Sequence, residues 1–179
     1  MKKLIPLFLL ITTTTFAQKE GQSFCAGDPT ETYFPLLQEK KTIIWYNTYY
    51  EETLLGEKVI DGKKYKVYLQ EWESKRKDTM YMRIDGTRVF EYYKEIQTEK
   101  LRYDSSFNPK KQWEGRDVTY TVLSHNAALK TPVCTYKNLM ALKAVYATIT
   151  FTFYYLKGYG YIGATKDDEL ISFAVPKLP

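Results

Sequence analysis

The stretch Thr148–Tyr155 limits what this chain can become. Its residues alternate, with Ile149, Phe151, Phe153 and Tyr155 on one side and Thr148, Thr150, Thr152 and Tyr154 on the other. Period-two alternation of β-branched and aromatic side chains suits a half-buried strand, because successive side chains of a strand point to opposite faces. The wider segment Val133–Gly163 holds Cys134 and ends in the turn Gly158-Tyr159-Gly160. It reads as a central strand pair on which the other strands build a sheet.

The same reading extends along the chain. Thr42–Tyr50 is rich in apolar and aromatic residues on both faces, as expected of a strand inside a sheet. Asp61-Gly62 and Asp85-Gly86 mark two hairpins, because Asp-Gly accepts the positive φ angles of tight hairpin turns. After the first turn, Tyr65, Val67 and Leu69 share one face; Lys64, Lys66, Tyr68 and Gln70 take the other, more soluble one. In the second hairpin, Met80, Met82 and Ile84 are expected inward, and Arg88–Tyr93 returns. Ile96–Tyr103 reads as the next strand, and its many charges suit an edge or a solvated face. Asp104–Arg116 reads as a loop around Trp113, Val118–Leu123 as a short strand and Ser124–Pro132 as a connection.

Leu139, Leu142, Val145 and Tyr146 have near-helical spacing, but Asn138–Tyr146 is short and merges with clear strand pattern, so it is read as strand. Leu170–Val175 closes the chain as a strand stopped by Pro176. The expected fold is all-β: an antiparallel meander of about 8–10 strands, curled as a half-barrel, barrel or sandwich.

The chain has 179 residues, which suits one domain with a proper core. Residues 1–17 are read as a signal peptide. Lys2 and Lys3 precede the apolar run Leu4–Ile11, and Thr15-Phe16-Ala17 supplies small residues before a cut between Ala17 and Gln18. Residues 18–32 form an extended lead-in, and 33–179 the β domain, with Tyr33–Leu37 as a plug or single turn against the sheet. Export to the periplasm or the extracellular space follows. The leader's apolar run is too short for a permanent anchor, and no other stretch approaches transmembrane length. Cys25 does not fit a lipid-attachment site, since Phe24 directly precedes it and Gln22 lies three before it.

The formal charge of +5 falls to +3 once Lys2 and Lys3 leave with the leader, which gives no reason to expect nucleic acid as a partner. Two cysteines, Cys25 and Cys134, remain in the mature chain. An even count in an exported protein suggests a disulfide; two buried thiols are the alternative. One histidine and two distant cysteines make a poor metal site, and no cofactor motif is present. Gly158, Gly160 and Gly163 spell G-x-G-x-x-G, but no β-α-β unit follows, so they read as a turn. His125, next to Ser124, lies in the expected connection, with no convergent nucleophile and carboxylate identifiable. Glu51-Glu52 and Asp167-Asp168-Glu169 sit at expected strand ends or turns. No catalytic residue is assigned, and the protein is read as not an enzyme.

Several short pieces resemble a loose group of uncharacterised exported bacterial β-proteins. Tyr33-Phe34-Pro35-Leu36 followed by Trp45-Tyr46 is similar to their opening pattern. Met82–Phe90 followed by Glu99–Asp104, and then Tyr154–Gly160, are similar to their middle and closing ones. The resemblance implies an exported antiparallel sheet protein and brings no catalytic residues. Related chains often carry a glycine after the opening proline-leucine pair, where this one has Gln38-Glu39-Lys40-Lys41.

The 17 Tyr, 9 Phe and 3 Trp are the most suggestive feature. A tyrosine has one apolar end and one hydrogen-bonding end, which suits half-wet surfaces. A concave sheet bearing Tyr49, Tyr68, Tyr81, Tyr93 and Tyr155 would grip a hydrophobic or amphipathic ligand such as a lipid tail, a sugar or a peptide. The alternatives are an envelope interaction or structural module with a filled core, which would meet an envelope protein, and, behind both, an envelope hydrolase.

Overall fold

A computed structural model of the chain describes Cys25, Gly27, residues 32–34 and residues 41–175. The leader, its cleavage site, most of the lead-in, residues 35–37 of the plug and Pro176 lie outside the described residues. Twelve strands are present: β1 (Lys41–Trp45), β2 (Thr48–Ile60), β3 (Lys63–Trp72), β4 (Lys77–Asp85), β5 (Arg88–Tyr93), β6 (Thr98–Asp104), β7 (Gln112–Glu114), β8 (Thr119–Lys130), β9 (Thr135–Val145), β10 (Thr150–Leu156), β11 (Gly160–Lys166) and β12 (Glu169–Val175). All neighbours pair antiparallel in one sheet of order β6-β5-β4-β3-β2-β1-β12-β11-β10-β9-β8-β7. Two six-stranded meanders are thus joined where β1 lies against β12, with Thr42 opposite Val175.

The connectivity forces this sheet to curl. β6 and β7 follow one another in the chain yet form its two opposite edges. Laid flat, the edges of twelve strands would stand about 50 Å apart at roughly 4.8 Å per spacing. Residues 105–111, between Asp104 and Gln112, reach at most about 28 Å when extended. The sheet therefore rolls into a nearly closed barrel. The two meanders meet across it: the Tyr103 ring of β6 lies 4.7 Å from that of Tyr155 on β10. Just past β7, Arg116 Nη1 is 2.9 Å from Glu95 Oε2 in the turn after β5. No backbone ladder joins β6 to β7 among the described residues, so a seam remains there.

The expected turns form. Asp61 and Gly62 have φ of 48° and 72°, which suits a tight hairpin turn. Asp167 and Asp168, both also at positive φ, turn β11 into β12. Gly163 is needed for another reason: a Cβ there would fall 2.6 Å from the Ser172 carbonyl and 2.8 Å from Leu129 Cδ2.

Four expectations need correction. Thr42–Tyr50 is not one strand but a hairpin turning at Tyr46-Asn47; with no Gly in the turn, nothing marked it. Ser124–Pro132 is not a connection, because β8 runs on to Lys130 through three register shifts. Asp104–Arg116 is not loop throughout, because Gln112–Glu114, with Trp113 at its centre, pairs with β8 as strand β7. The strand count rises accordingly. On β3, the face read as soluble is the interior: Tyr68, Gln70 and Trp72 face in, with Tyr68 opposite Met80. Asn138–Tyr146 is strand up to Val145.

The core has two parts. One gathers Phe153 and Tyr155 of β10, Met140 and Leu142 of β9, Tyr68, Met82, Val89 and Tyr103. Tyr33 and Phe34 join it as a plug. Tyr33 O accepts from Tyr103 Oη at 2.8 Å, and Thr32 O from Gly158 N at 2.7 Å. The other packs Leu129, Tyr136 and Leu139 against Ile43, Ile162 and Ala174. Beside it, Cys25 and Cys134 form a disulfide with Cα atoms 6.3 Å apart.

The first meander is also tied by a polar cluster. Arg83 Nε and Nη2 donate to Glu99 at 2.6 and 2.7 Å, Lys63 Nζ adds a 3.0 Å bond, and Tyr65 Oη donates as well. Burial pushes the Glu99 carboxyl up, but the bonds from Arg83, Tyr65 and Lys63 outweigh it and hold it down at about 2. In the unfolded chain it titrates near the usual carboxylate value. The stabilisation is therefore complete above about pH 5 and is lost as pH falls toward about 2. Glu99→Gln is expected to lose less stability than the wild type between about pH 6 and about pH 3, read from urea midpoints. Equal acid sensitivity in the two proteins would refute this assignment.

Candidate functional site

The inward residues of the barrel do not fill it. A cavity of about 240 Å³ lies between the two meanders. Strand alternation explains most of its wall. β1 contributes Lys41 and Trp45, and β2 Tyr50 and Glu52; β3 adds Gln70 and Trp72, and β4 Met80 and Met82. Within each pair the residues are two or four apart, which is the same-face spacing of a strand. Phe153 of β10 and Tyr161 of β11 close the opposite side.

β6 breaks this rule. Both Arg102 and Tyr103 line the cavity although they are adjacent in sequence. The ladder with β5 pairs Val89 with Tyr103 and Phe90 with Leu101, leaving Arg102 as the extra residue of a bulge. A bulge sets two residues against one and re-aims a side chain. Here it turns a guanidinium into the barrel alongside a tyrosine.

The charges inside are matched. Lys41 Nζ lies 3.0 Å from Glu52 Oε1, and both side chains are only 8% exposed. Its other contacts are the carbonyls of Tyr159 at 2.9 Å and Tyr161 at 3.3 Å. Gln70 Nε2 donates to Glu52 Oε2 at 3.0 Å. Arg102 Nη1 donates to Glu91 Oε2 at 3.0 Å, and Tyr93 Oη reaches the same oxygen at 2.9 Å. Burial works against the Arg102 charge, but Tyr120, Tyr155, Glu91 and Tyr93 around it more than compensate, and its pKa stands well above the ordinary value. Burial likewise raises the phenols of Tyr50, Tyr103 and Tyr161. They stay neutral hydrogen-bonding groups. Tyr155 Oη is buried beside this group, close to the Arg102 guanidinium.

This arrangement can hold a molecule with an apolar body and a polar end. Aromatic and thioether groups form most of its wall, and the polar groups converge at a few points, as in small-molecule sites generally.

The five tyrosines singled out from sequence are placed unevenly. Tyr68 and Tyr155 face in and pack in the core. Tyr93 faces in and is bonded to Glu91. Tyr49 faces out, opposite Ile44 and 39% exposed, because the turn at Tyr46-Asn47 puts Tyr50 inside instead. Tyr81 also faces out, between inward Met80 and Met82, with Lys94 4.4 Å and Lys58 5.9 Å from its ring centre. None of the five lines the cavity itself. The wall residues missed were Trp45, Tyr50, Trp72, Lys41, Glu52 and Arg102. Lys41 and Glu52 left a trace: each is a charge on an otherwise apolar strand face, with Ile43 and Trp45 or with Tyr50 and Leu54. Arg102 left none, since a bulge has no mark in the alternation.

The other chemistry-bearing residues are dispersed. His125 lies in β8 and its Nε2 donates to the Phe107 carbonyl at 2.8 Å, while Ser124 Oγ accepts from Asn126 N at 2.9 Å. Glu51 and Glu52 are adjacent on a strand and so point to opposite faces. Among the described residues no three of His, Cys, Asp or Glu gather as a metal site, and no helix is long and apolar enough to cross a membrane.

No protein-family model and no curated protein matches the chain. Two solved structures align with it. One, from Parabacteroides distasonis and described as a lipoprotein, aligns over 81% of this chain and 96% of its own at 11% identity and a TM-score of 0.49. The other, from Bacteroides fragilis, is described as an exported protein with a YmcC-like fold. It aligns over 81% of this chain and 97% of its own at 10% identity, with a TM-score of 0.51. At that identity the likeness is one of fold: this chain is similar to the Bacteroides protein in architecture.

Proposed function

We propose that this protein is an exported, non-enzymatic β-domain that binds a hydrophobic or amphipathic small molecule in the concavity of its sheet. The observation that carries the reading is the 240 Å³ cavity walled by Trp45, Tyr50, Trp72, Met80, Met82 and Phe153. An engineered apolar cavity of about 150 Å³ takes up benzene, so this one has room for a one- or two-ring molecule. Export is supported by the leader-like pattern of residues 1–17 and by the disulfide, which persists in oxidising compartments. The fold is shared with a protein described as exported.

Titration of the protein with the neutral two-ring fluorophore 1-naphthylamine tests the cavity. Saturable one-to-one binding with a blue-shifted emission is expected, and Met80→Trp, which fills the space, should abolish it. No saturable binding would end this reading in favour of an interaction module without a ligand cavity.

A further inference from the structure

We infer that the cavity selects small amphipathic carboxylates, with the acid group docked on Arg102 and the apolar body against Trp45, Trp72, Met80 and Phe153. This rests on the cavity reading and adds the chemistry of the ligand's polar end.

The argument is one of free donors. Two cations line the cavity. Lys41 is satisfied, because an ammonium has three N–H groups and its Nζ already faces Glu52 and two carbonyls. Glu52 in turn is taken up by Lys41 and Gln70. Arg102 differs. A guanidinium carries five N–H donors in a planar fork. Among the described residues its Nη1 is engaged by Glu91, and Tyr155 Oη lies close to the guanidinium. That leaves donors of the five-donor fork beyond these two contacts, and Arg102 lines the cavity with its side chain 24% exposed.

Part of this fork is therefore open to an acceptor that enters the cavity. The buried Tyr155 hydroxyl stands behind Arg102, outside the cavity wall, and backs the guanidinium from that side. A carboxylate offers two coplanar acceptors in the spacing that a guanidinium fork matches, and such charge-assisted bonds are the strong ones. Glu91 is already shared with Tyr93, which helps free the remaining fork for a ligand. The volume sets the other bound: it accommodates a short or one- to two-ring body rather than a long acyl chain.

The test compares 4-phenylbutyrate with its neutral amide as competitors of bound 1-naphthylamine, using the full chain. In the wild type the acid should displace the dye at least about tenfold more tightly than the amide, the lower end of what a charge-assisted bond gives. Arg102→Gln should erase that preference while the neutral dye still binds. Arg102→Lys, which keeps the charge but not the planar fork, should retain only part of it. Equal displacement by acid and amide in the wild type, with the dye still binding, overturns the assignment and leaves the cavity reading standing. Failure of the dye to bind overturns both. The acid–amide comparison needs no variant, so it decides the matter even if Arg102→Gln does not fold.

Discussion

Cys134→Ser is expected to lower the stability of the mature protein by roughly 3 to 5 kcal/mol, one of the two largest single effects foreseen here. The disulfide joins positions 109 residues apart. On the chain-entropy account, closing a loop of that length removes about 5 kcal/mol of freedom from the unfolded chain. The native side matters too. The bond anchors the segment that leads to the plug, where Tyr33 and Phe34 are buried in the main core. The plug's own contacts are local: Tyr33 O with Tyr103, Thr32 O with Gly158 N, and the apolar packing of Phe34. Urea unfolding with and without reductant reads the effect. The wild type should lose stability on reduction, the variant should not respond, and Cys25→Ser should match Cys134→Ser without adding to it. A loss below about 1 kcal/mol would mean that the plug contacts, not the covalent bond, hold the segment.

Lys41→Met is expected to cost about 3 kcal/mol or more, and Lys41→Met with Glu52→Leu appreciably less. The two residues are direct cross-strand partners of β1 and β2, and both are buried. Deleting the lysine leaves a carboxylate in a mostly apolar wall with one remaining donor, Gln70, and takes a donor from the Tyr159 and Tyr161 carbonyls. An uncompensated buried charge costs more than the pair contributes, so replacing both partners with apolar groups should recover much of the loss. A double-mutant cycle on urea midpoints measures this coupling. If the single and double variants prove equally unstable, the pair is not coupled in this way.

These two effects were not equally legible. The disulfide was within reach of the sequence, because cysteine parity and a leader-like pattern are local, countable signals. The Lys41–Glu52 pair was not. It depends on a turn at Tyr46-Asn47 that carries no glycine, and without that turn the two residues sit at no particular distance. The same unmarked turn moved Tyr49 outward and Tyr50 inward, which is why a list of tyrosines missed the cavity wall.

What the sequence determined by itself is the local physics. Period-two alternation at Thr148–Tyr155, the Asp-Gly turns and the alternating methionines of β4 dictate antiparallel strands, since each signal is complete within a few residues. What only the tertiary structure decided is which face of each strand turns in, and how the sheet closes. Alternation separates two faces without naming the inner one, so on β3 Tyr68, Gln70 and Trp72 were assigned only by what packs opposite them. Closure rests on β1 meeting β12, a pairing of residues more than a hundred positions apart. The inward turn of Arg102 rests on one extra residue in β6, visible only in its register with β5. A register is a relation between two strands, and no single strand's sequence contains it.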